Sequence, residues 1–454
     1  MNQNDAIYDA HVLGTPKMLV LGVQHMFAMF GATVLVPALT GLSVSATLLF
    51  AGLGTLLFHF LTKMKVPAFL GSSFAFIGGY AAIAPLLPDA NGNATIPNTE
   101  MLPYACFGVA CAGLMYVILA ALFKVFGTKA VMRYFPPIVT GPIIICIGLT
   151  LSKTAIDSCR TNWPIALVAI LVVVACNIWG KGMIKIIPIL LGVIASYIVG
   201  ALTGNVDFTA VKEAAWVGLP FQFENTLFGL FTRPNLDTGL LVTSAVTIMP
   251  LALATMVEHI GDMCAISSTC ERNYLEDPGF HRTLLGDGLA TTLASLFGAP
   301  ANTTYGENTG VLALSKVYDP KVIRIAAGLA ILFSFSPKFE ALVAAMPAAT
   351  IGGVSMILYG MISAVGVRNV VENKVDFTKS RNVLVAAIIM VLSIGISYSS
   401  LGAISFPIGS VTIKLSGLAV GAIVGILLNA ILPGKDYVFG SDVTEGRSGD
   451  MGRY

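Results

Sequence analysis

The stretch that decides the fold is residues 300–310, which reads PANTTYGENTG and breaks an otherwise apolar region of the chain. Hydrophobic residues make up 56% of the 454 residues and charged residues 11%, against roughly 25% charged residues in an average soluble domain. So few charges cannot cover the surface of a water-soluble protein of this length, and the solvent must therefore be a lipid bilayer. The apolar runs are long and do not alternate with polar residues, which predicts an all-α, polytopic membrane protein rather than a β-barrel.

The apolar runs predict fourteen membrane spans. They lie at residues 16–37, 44–62, 67–87, 102–123, 135–152, 164–180, 186–203, 240–262, 283–299, 301–315, 322–336, 341–362, 383–398 and 415–433. When both termini are placed in the cytoplasm, most of the 26 Lys and Arg residues fall in cytoplasmic segments, as the positive-inside rule requires. The sequence therefore predicts a multi-pass protein of the cell inner (plasma) membrane with both termini inside.

The chain divides into two halves of seven spans each. The longest polar stretch, residues 204–239, follows the seventh span. Because seven is odd, the halves would cross the membrane in opposite directions and form an inverted repeat. The third and tenth spans both begin with Pro-Ala, at Pro67 and Pro300. Phe74 and Glu307 follow these two prolines at the same spacing, which supports the repeat.

Two segments at corresponding positions of the halves are irregular, residues 67–76 (PAFLGSSFAF) and residues 300–310. Irregular backbone at membrane depth must be buried in protein or line a cavity. Interrupted segments at matching positions of two repeats are the best sequence pointer to a transporter's binding site. The alternatives are a kinked span with helix-packing serines for the first segment and an external loop for the second.

Four acidic residues lie inside predicted spans: Glu258, Asp262, Asp287 and Glu307. Such groups are costly in lipid and usually face a cavity or a partner. Glu258 and Asp262 are four residues apart and share a helix face, so their charges resist joint ionisation, which suits binding and release of a proton. The alternative for both is a polar contact that holds helices together, and Asp287 could pair with a neighbouring helix. His259 points away from Glu258 and is interpreted as a packing or hydrogen-bonding residue.

Several classes of function are excluded by composition and motif. A net charge of +2 gives no basic field for nucleic acid, and the seven cysteines form no CxxC pair. Neither HExxH nor a nucleotide-binding glycine motif is present, so the sequence predicts no metal, no organic cofactor and no ATP-driven transport. Residues 285–287 superficially suggest an intramembrane aspartyl protease, but they lack its preceding glycine and its partner motif. We expect a transporter and not an enzyme.

Four motifs together resemble the nucleobase–ascorbate transporter family, and within it the bacterial uracil/proton symporters. They are residues 24–33 (QHMFAMFGAT), 71–76 (GSSFAF), 258–262 (EHIGD) and 302–310 (NTTYGENTG), and the resemblance extends over about residues 12–433. It implies fourteen spans in a 7+7 inverted repeat, with short antiparallel β-strands in spans 3 and 10. The implied domains are a cytoplasmic N-tail (1–15), core (16–126), gate (127–203), extracellular linker (204–239), core (240–337), gate (338–433) and cytoplasmic C-tail (434–454).

The resemblance also implies a substrate site. Its implied members are the carboxylates of Glu258 and Glu307, the main-chain N–H groups of Phe74 and Gly306, and the pocket residues Ala32, Ser73, Tyr305 and Tyr359. The implied proton-coupling residues are Glu258, Asp262 and Asp287. Asp262 stands where the uracil symporters carry His. Asp287 stands where they carry Asn, and purine-transporting relatives carry acidic residues at that position.

The chemistry of uracil fits these groups. Its ring offers two N–H donors and two carbonyl acceptors in one plane, which two carboxylates and two main-chain N–H groups can satisfy. We expect a proton-coupled importer of a nucleobase, most of all uracil, that works by alternating access. The alternatives are a purine or xanthine transporter of the same family, and an anion transporter or channel of the same 7+7 fold. Relatives are often dimers through the gate domain, and the glycine face of Gly417, Gly421 and Gly425 suits either a homodimer or packing within one chain.

Overall fold

The computed structural model describes residues 6–88, 94–408 and 411–434. The first five residues of the predicted N-tail and residues 435–454 of the predicted C-tail lie outside this part. The helices before residue 235 are α1 (Thr15–Thr40), α2 (Val44–Leu61), α3 (Ile77–Ile83), α4 (Leu102–Phe126), α5 (Thr128–Met132), α6 (Pro137–Cys159), α7 (Trp163–Trp179), α8 (Met183–Ile186), α9 (Pro188–Leu202), α10 (Thr209–Glu213) and α11 (Leu227–Phe231). The later helices are α12 (Thr238–Ile248), α13 (Leu251–Thr269), α14 (Phe280–Leu296), α15 (Gly306–Ser315), α16 (Pro320–Ser334), α17 (Pro337–Ala344), α18 (Ala348–Glu372), α19 (Ser380–Ser397) and α20 (Gly417–Ile431).

Six short strands form three antiparallel pairs in the described part of the chain. They are β1 (Leu70–Ser72) with β4 (Asn302–Thr304), β2 (Leu87–Pro88) with β3 (Ala94–Ile96), and β5 (Ala403–Ile408) with β6 (Val411–Ser416). The last two pairs are hairpins that join neighbouring helices and lie at or beyond the ends of predicted spans. The first pair joins two distant parts of the chain.

The helices confirm a multi-pass membrane protein. Among the described residues, seven helical runs are long and apolar enough to cross a bilayer: α1, α2, α4, α6, the 32-residue run of α12 and α13, α18 and α19. Helices α16 and α17 are bent by 87° relative to each other and together satisfy the same test. Three further apolar helices, α7, α9 and α20, have only 15 to 17 residues, fewer than the ~20 that a straight span needs. The predicted number of fourteen spans stays a prediction.

Three predicted spans have wrong boundaries, and one of them, predicted at 240–262, continues as α13 to Thr269. The span predicted at 341–362 is two helices, because Pro347 lacks an N–H and disfavours helical geometry at the residue before it, so α17 ends before α18 begins. The span predicted at 135–152 continues to Cys159, because an ion pair between Lys153 and Asp157 supports a further polar turn. Hydropathy marks the lipid-buried part of a helix and not its end.

Glycines set the closest helix crossings. A Cβ atom on Gly366 of α18 would lie 2.6 Å from the backbone nitrogen of Ile145 in α6, and one on Gly113 of α4 would lie 2.8 Å from the Gly288 carbonyl of α14. Small residues allow such close backbone approach in membranes. The predicted glycine face of α20 is also used within the chain. A Cβ on each of its glycines would collide with α19, at 2.2 Å for Gly417, 2.0 Å for Gly421 and 2.4 Å for Gly425. This face therefore offers no surface for a homodimer.

The N-terminal segment is packed against the ends of distant helices. Ile7 forms a parallel bridge with Val317, just beyond α15. The Tyr8 hydroxyl donates to the carbonyl of Cys270 at the end of α13 (2.9 Å), and the Arg272 guanidinium lies 4.0 Å from the centre of the Tyr8 ring. These contacts tie the ends of α13 and α15 together.

We predict that Gly366→Leu destabilises the protein whereas Gly360→Leu does not. Both glycines belong to α18, but a Cβ on Gly360 meets no atom within 4 Å. Overpacking at a crossing costs about 1–3 kcal/mol or more, so the melting temperature in detergent should fall for Gly366→Leu by several degrees. Equal melting temperatures of the two variants would contradict the assigned α6–α18 crossing.

Candidate functional site

The site is built on the pairing of β1 with β4, which lie in the two irregular segments of the sequence. Their register places Leu70 opposite Thr304, Gly71 opposite Thr303 and Ser72 opposite Asn302. Two more main-chain bonds extend the ladder, from Ser73 N–H to the Ala301 carbonyl (2.8 Å) and from Tyr305 N–H to the Phe69 carbonyl (3.0 Å). Exchanging the two strands turns one of these bonds into the other, so that Ser73 is equivalent to Tyr305. The next residues along the chain, Phe74 and Gly306, are therefore equivalent as well. The sequence spacing that matched Phe74 with Glu307 is therefore wrong by one residue, because it was counted from prolines that lie outside the ladder.

Threonines of two helices satisfy the outer edges of the strands. The Leu70 N–H donates to Thr55 Oγ1 of α2 (2.9 Å), and that hydroxyl donates to the Leu70 carbonyl (3.3 Å). In the same way the Asn302 N–H donates to Thr291 Oγ1 of α14 (3.2 Å), and that hydroxyl donates to the Asn302 carbonyl (2.9 Å). Strand backbone without these partners would leave unpaired polar groups in a buried place. Neither threonine was singled out from the sequence, because nothing in an apolar helix distinguishes a strand-binding hydroxyl from a packing one.

Each strand leads into a helix that begins at a predicted substrate contact. Phe74 is the first residue of a 3-10 turn (Phe74–Phe76) that continues into α3, and Gly306 is the first residue of α15. The first N–H groups of a helix have no acceptor inside that helix, and they carry its partial positive charge. The space where a Cβ of Gly306 would lie is open, with no atom within 4 Å. Main-chain donors are therefore available at both helix starts.

The acidic residues of α13 face the strand pair. Asp262 Oδ2 accepts a hydrogen bond from Thr304 Oγ1 of β4 (2.7 Å). Glu258 lies one turn earlier on the same face of α13. Its Oε2 is buried and has no hydrogen-bond partner among the described residues, and its carboxyl lies within electrostatic range of Asp262, Asp287 and Glu307. This oxygen of Glu258 is thus an acceptor without a donor among the described residues.

Glu307 lies in the first turn of α15 beside a small cavity. The helix is held against α1 by Asn308, whose Nδ2 donates to the His25 carbonyl (3.0 Å). The cavity has a volume of about 170 Å³, and its lining includes Glu307, Leu314, Met361 and Lys185. The cavity runs along α15 to α8, where Lys185 is exposed. Glu307 lines this cavity, whereas the other predicted site residues are not part of its lining.

Asp287 is paired with His259. Its Oδ2 lies 3.0 Å from His259 Nδ1, and both side chains are fully buried. The rings of Phe58 and Phe280 meet the imidazole edge-on, with centroids 6.4 and 6.1 Å away. The sequence showed that His259 turns away from Glu258, but the separation along the chain gave no sign that it turns toward Asp287.

The remaining predicted residues are buried around the strands. Tyr305 covers Gly71, whose Cβ would lie 2.4 Å from the ring, and its hydroxyl donates to the Ser72 carbonyl (2.9 Å). Tyr305 is therefore fixed to β1. Phe74 meets Tyr359 of α18 edge-on, with ring centroids 5.8 Å apart. The other two pocket residues, Ala32 of α1 and Ser73 beside β1, have no exposed surface.

The comparisons identify the family. A family model described as "Permease family" (Xan_ur_permease) matches residues 16–402. The chain is 39% identical to the uracil permease of Bacillus caldolyticus over 430 residues, which covers 92% of this chain and 93% of the relative. It is 37% identical over 427 residues to the uracil permease of Bacillus subtilis (strain 168), with 90% and 91% covered, and to the putative pyrimidine permease RutG of Escherichia coli (strain K12), with 92% and 89% covered. The chain belongs to this permease family. Its relatives are transporters, so the permease is not an enzyme.

Two solved structures share the fold of this permease. The transmembrane domain of the cyanobacterial bicarbonate transporter BicA matches with a TM-score of 0.55 and 17% identity, covering 81% of the permease and 97% of that domain. Murine Slc26a9, an anion transporter in the inward-facing state, matches with a TM-score of 0.62 and 12% identity, covering 95% of the permease and 72% of that chain. At this identity the likeness concerns the fold alone.

We predict that Thr304→Val lowers stability whereas Thr303→Val does not. Thr304 supplies the donor to Asp262, and its loss leaves a carboxylate oxygen without that partner at a cost of about 1–3 kcal/mol. Thr303 is equally buried, but its hydroxyl has no partner among the described residues, so replacing it by a methyl group removes no bond. Thermal unfolding in detergent compares the two variants. A melting temperature for Thr304→Val equal to that of the wild type would contradict the Asp262 contact.

Proposed function

We propose that this permease is a proton-coupled uracil importer. The observation that supports it is the buried carboxylate oxygen of Glu258, which has no donor among the described residues and lies near a strand pair. The strands lead into helices that start at Phe74 and Gly306, where the first N–H groups have no acceptor within the helix. Glu258 and Glu307 would accept from the two ring N–H groups of uracil. Phe74 and Gly306 would donate to its two carbonyls. The uracil permeases among the relatives agree with this substrate.

Selectivity would follow from this pattern of donors and acceptors. A base that lacks one partner leaves a buried polar group unpaired, which costs about 1–3 kcal/mol. The rings of Phe74 and Tyr359 would provide apolar surface for the base, and the small side chain of Ala32 would leave room for it. Tyr305 and Ser73 would act by holding the strand backbone in place.

A purine substrate is the second candidate, because Asp262 and Asp287 differ from the residues of the uracil symporters. One oxygen of Asp262 accepts from Thr304 Oγ1, and one oxygen of Asp287 lies 3.0 Å from His259 Nδ1, so both side chains have contacts within the protein. The uracil permeases among the relatives favour uracil. Anion transport, which the fold neighbours carry out by name, is disfavoured by the two carboxylates at the site.

We propose that the chain is a 7+7 inverted repeat of fourteen spans. The support is that a contact between two helices has a counterpart between the equivalent helices of the other half. The contact of α2 with α16 has its counterpart in the contact of α14 with α4, and the contact of α7 with α9 has its counterpart in the contact of α19 with α20. Likewise, the contacts that α7 and α9 make with α18 have their counterparts in the contacts that α19 and α20 make with α6. The seven long helical runs and the bent pair of α16 and α17 give eight spans. Six more would come from α7, α9, α14, α20 and the two strand–helix segments.

The same contacts support a division into core and gate. Residues 16–126 and 240–337 would form the core, in which α2 packs against α16 and α4 against α14. Residues 127–203 and 338–433 would form the gate around the α6–α18 pair. The linker of residues 204–239 would cross between them outside the cell. Alternating access would then be movement of the core, with Glu258 and Glu307, against the gate.

The conformation described corresponds to an inward-facing state if both termini are cytoplasmic. The cavity beside Glu307 would lead to the cytoplasm at Lys185. On the opposite side, Glu340 Oε1 of α17 accepts from Ser43 Oγ (2.6 Å) and from the Val44 N–H (3.0 Å) at the start of α2. This contact would close the extracellular side.

Proton coupling would arise from the cluster of acidic groups. Holding Glu258, Asp262 and Glu307 all ionised in a buried place is unfavourable, so a proton would enter the cluster when the base binds. Glu258 would be the principal carrier, because one of its oxygens has no donor among the described residues, whereas Asp262 accepts from Thr304 and Asp287 lies 3.0 Å from an imidazole nitrogen. These two would tune the charge around Glu258.

We predict that labelled uracil accumulates in proteoliposomes when the outside is acidic, and that a protonophore abolishes the accumulation. Glu258→Ala and Glu307→Ala should each weaken uracil binding by roughly 10- to 100-fold, because one donor of the base loses its acceptor. Glu372→Ala, on the exposed end of α18, serves as the control. Binding is measured by calorimetry with purified protein.

Glu258→Gln separates binding from coupling. Its amide oxygen still accepts a hydrogen bond, but the side chain cannot release a proton. Uracil binding should therefore survive, and uptake should no longer respond to the proton gradient. Gradient-independent uptake by the wild type would overturn the coupling, and normal binding by both alanine variants would overturn the site.

We predict that Glu340→Ala opens the extracellular side. The Val44 amide loses a charged acceptor, a type of bond that contributes about 1.5–3 kcal/mol, so its hydrogen exchange should accelerate about tenfold or more. Mass spectrometry of peptides over residues 40–50 measures the rate. Glu224→Ala, an exposed acidic residue of the linker, should leave it unchanged. Equal rates in the two variants would contradict the closing role of Glu340.

A further inference from the structure

A second cavity shares no lining residue with the cavity beside Glu307. It has a volume of about 530 Å³ and is bounded by α4, α5, α13 and α20. Its lining is apolar except at one end, and consists of Met115, Ile118, Leu119, Leu122, Phe126, Ala130, Val131, Arg133, Tyr134, Phe135, Leu253, Met256 and Ile426. We call it the α4–α20 groove. Ile118 and Phe126 on its rim are 55% and 65% exposed, so the groove is open to the surrounding bilayer.

Basic residues surround one end of the groove. Arg133 lines the groove directly. Lys124, at the end of α4, and Lys129, in α5, are within nine residues of Arg133 along the chain. All three are exposed, and none forms an ion pair with a carboxylate in the part of the chain that the structure describes. Asn429 of α20 fixes this end of the groove, because its Nδ2 donates to the Arg133 carbonyl (3.2 Å).

We propose that the α4–α20 groove binds one anionic phospholipid. An acyl chain would fill the apolar part, and the phosphate would lie against Arg133 with Lys124 and Lys129 around it. The charge of the site is complementary to an anionic headgroup, and basic pockets between membrane helices are suited to such lipids. A soluble anion would gain nothing from the apolar lining, which forms most of the groove.

The groove would also connect the lipid to transport. Its walls come from α4 and α13 on one side and from α5 and α20 on the other. Under the proposed function these belong to the core and to the gate, so the groove changes shape when the two move. A lipid that binds one conformation more tightly shifts the population toward it. This consequence rests on the proposed core and gate, whereas lipid binding itself does not.

Native mass spectrometry of the delipidated, full-length permease tests the binding. The probes are phosphatidylglycerol and phosphatidylcholine with identical acyl chains. The wild type should bind one phosphatidylglycerol more tightly than phosphatidylcholine. In the Lys129→Gln/Arg133→Gln variant that affinity should fall by about tenfold or more, since each basic residue near anionic lipid contributes roughly fivefold. The control Lys17→Gln/Lys181→Gln removes two exposed cations that do not line the groove and should bind like the wild type.

A groove-filling variant separates the headgroup from the acyl chain. Leu119→Trp should weaken binding of both lipids, and a melting temperature in detergent equal to that of the wild type verifies that the variant is folded. Equal binding of both lipids by the wild type, or unchanged phosphatidylglycerol binding by the Lys129→Gln/Arg133→Gln variant, would show that the groove holds only non-specific lipid and would overturn the proposal. Because the readout is the mass of bound lipid, the result does not depend on whether the permease transports uracil.

Discussion

The constraint on which the structure depends is that backbone polar groups buried in a membrane protein must find partners within the protein. Two segments of the permease leave the helical conformation, and they meet that constraint by pairing with each other. Thr55 and Thr291 complete the arrangement by bonding the outer edges of the strands. The benefit of this irregularity is that it creates two helix starts, and hence two sets of free main-chain donors, where a continuous helix would offer none.

The same constraint explains where the acidic residues lie. A carboxylate in lipid needs a donor, and three of the four intramembrane acids lie beside hydroxyl, imidazole or helix-start groups. Glu258 has a buried oxygen that no described residue binds. A buried carboxylate oxygen without a donor is a feature expected of a binding site, because a ligand can supply the missing hydrogen bond.

The sequence predicted the membrane class, the family and the two irregular segments, because these depend on composition and on contiguous motifs. It could not predict contacts between distant residues, such as Thr304 with Asp262 or His259 with Asp287, because the spacing along the chain carries no information about them. It misplaced the end of α6 and the break before Pro347, because hydropathy reports contact with lipid and not hydrogen bonding. It also matched Phe74 with Glu307, whereas the strand register matches Phe74 with Gly306.

The separation of the two strands along the chain has a consequence for biosynthesis. Ser72 and Tyr305, which bond across the pair, are 233 residues apart. The ribosome therefore delivers β1 to the membrane long before β4 exists, and during that interval the backbone of β1 has no stable place in hydrocarbon. The main-chain groups of β1 therefore receive their partners only after the second half of the chain has been made, so completion of the binding site is a late step of folding.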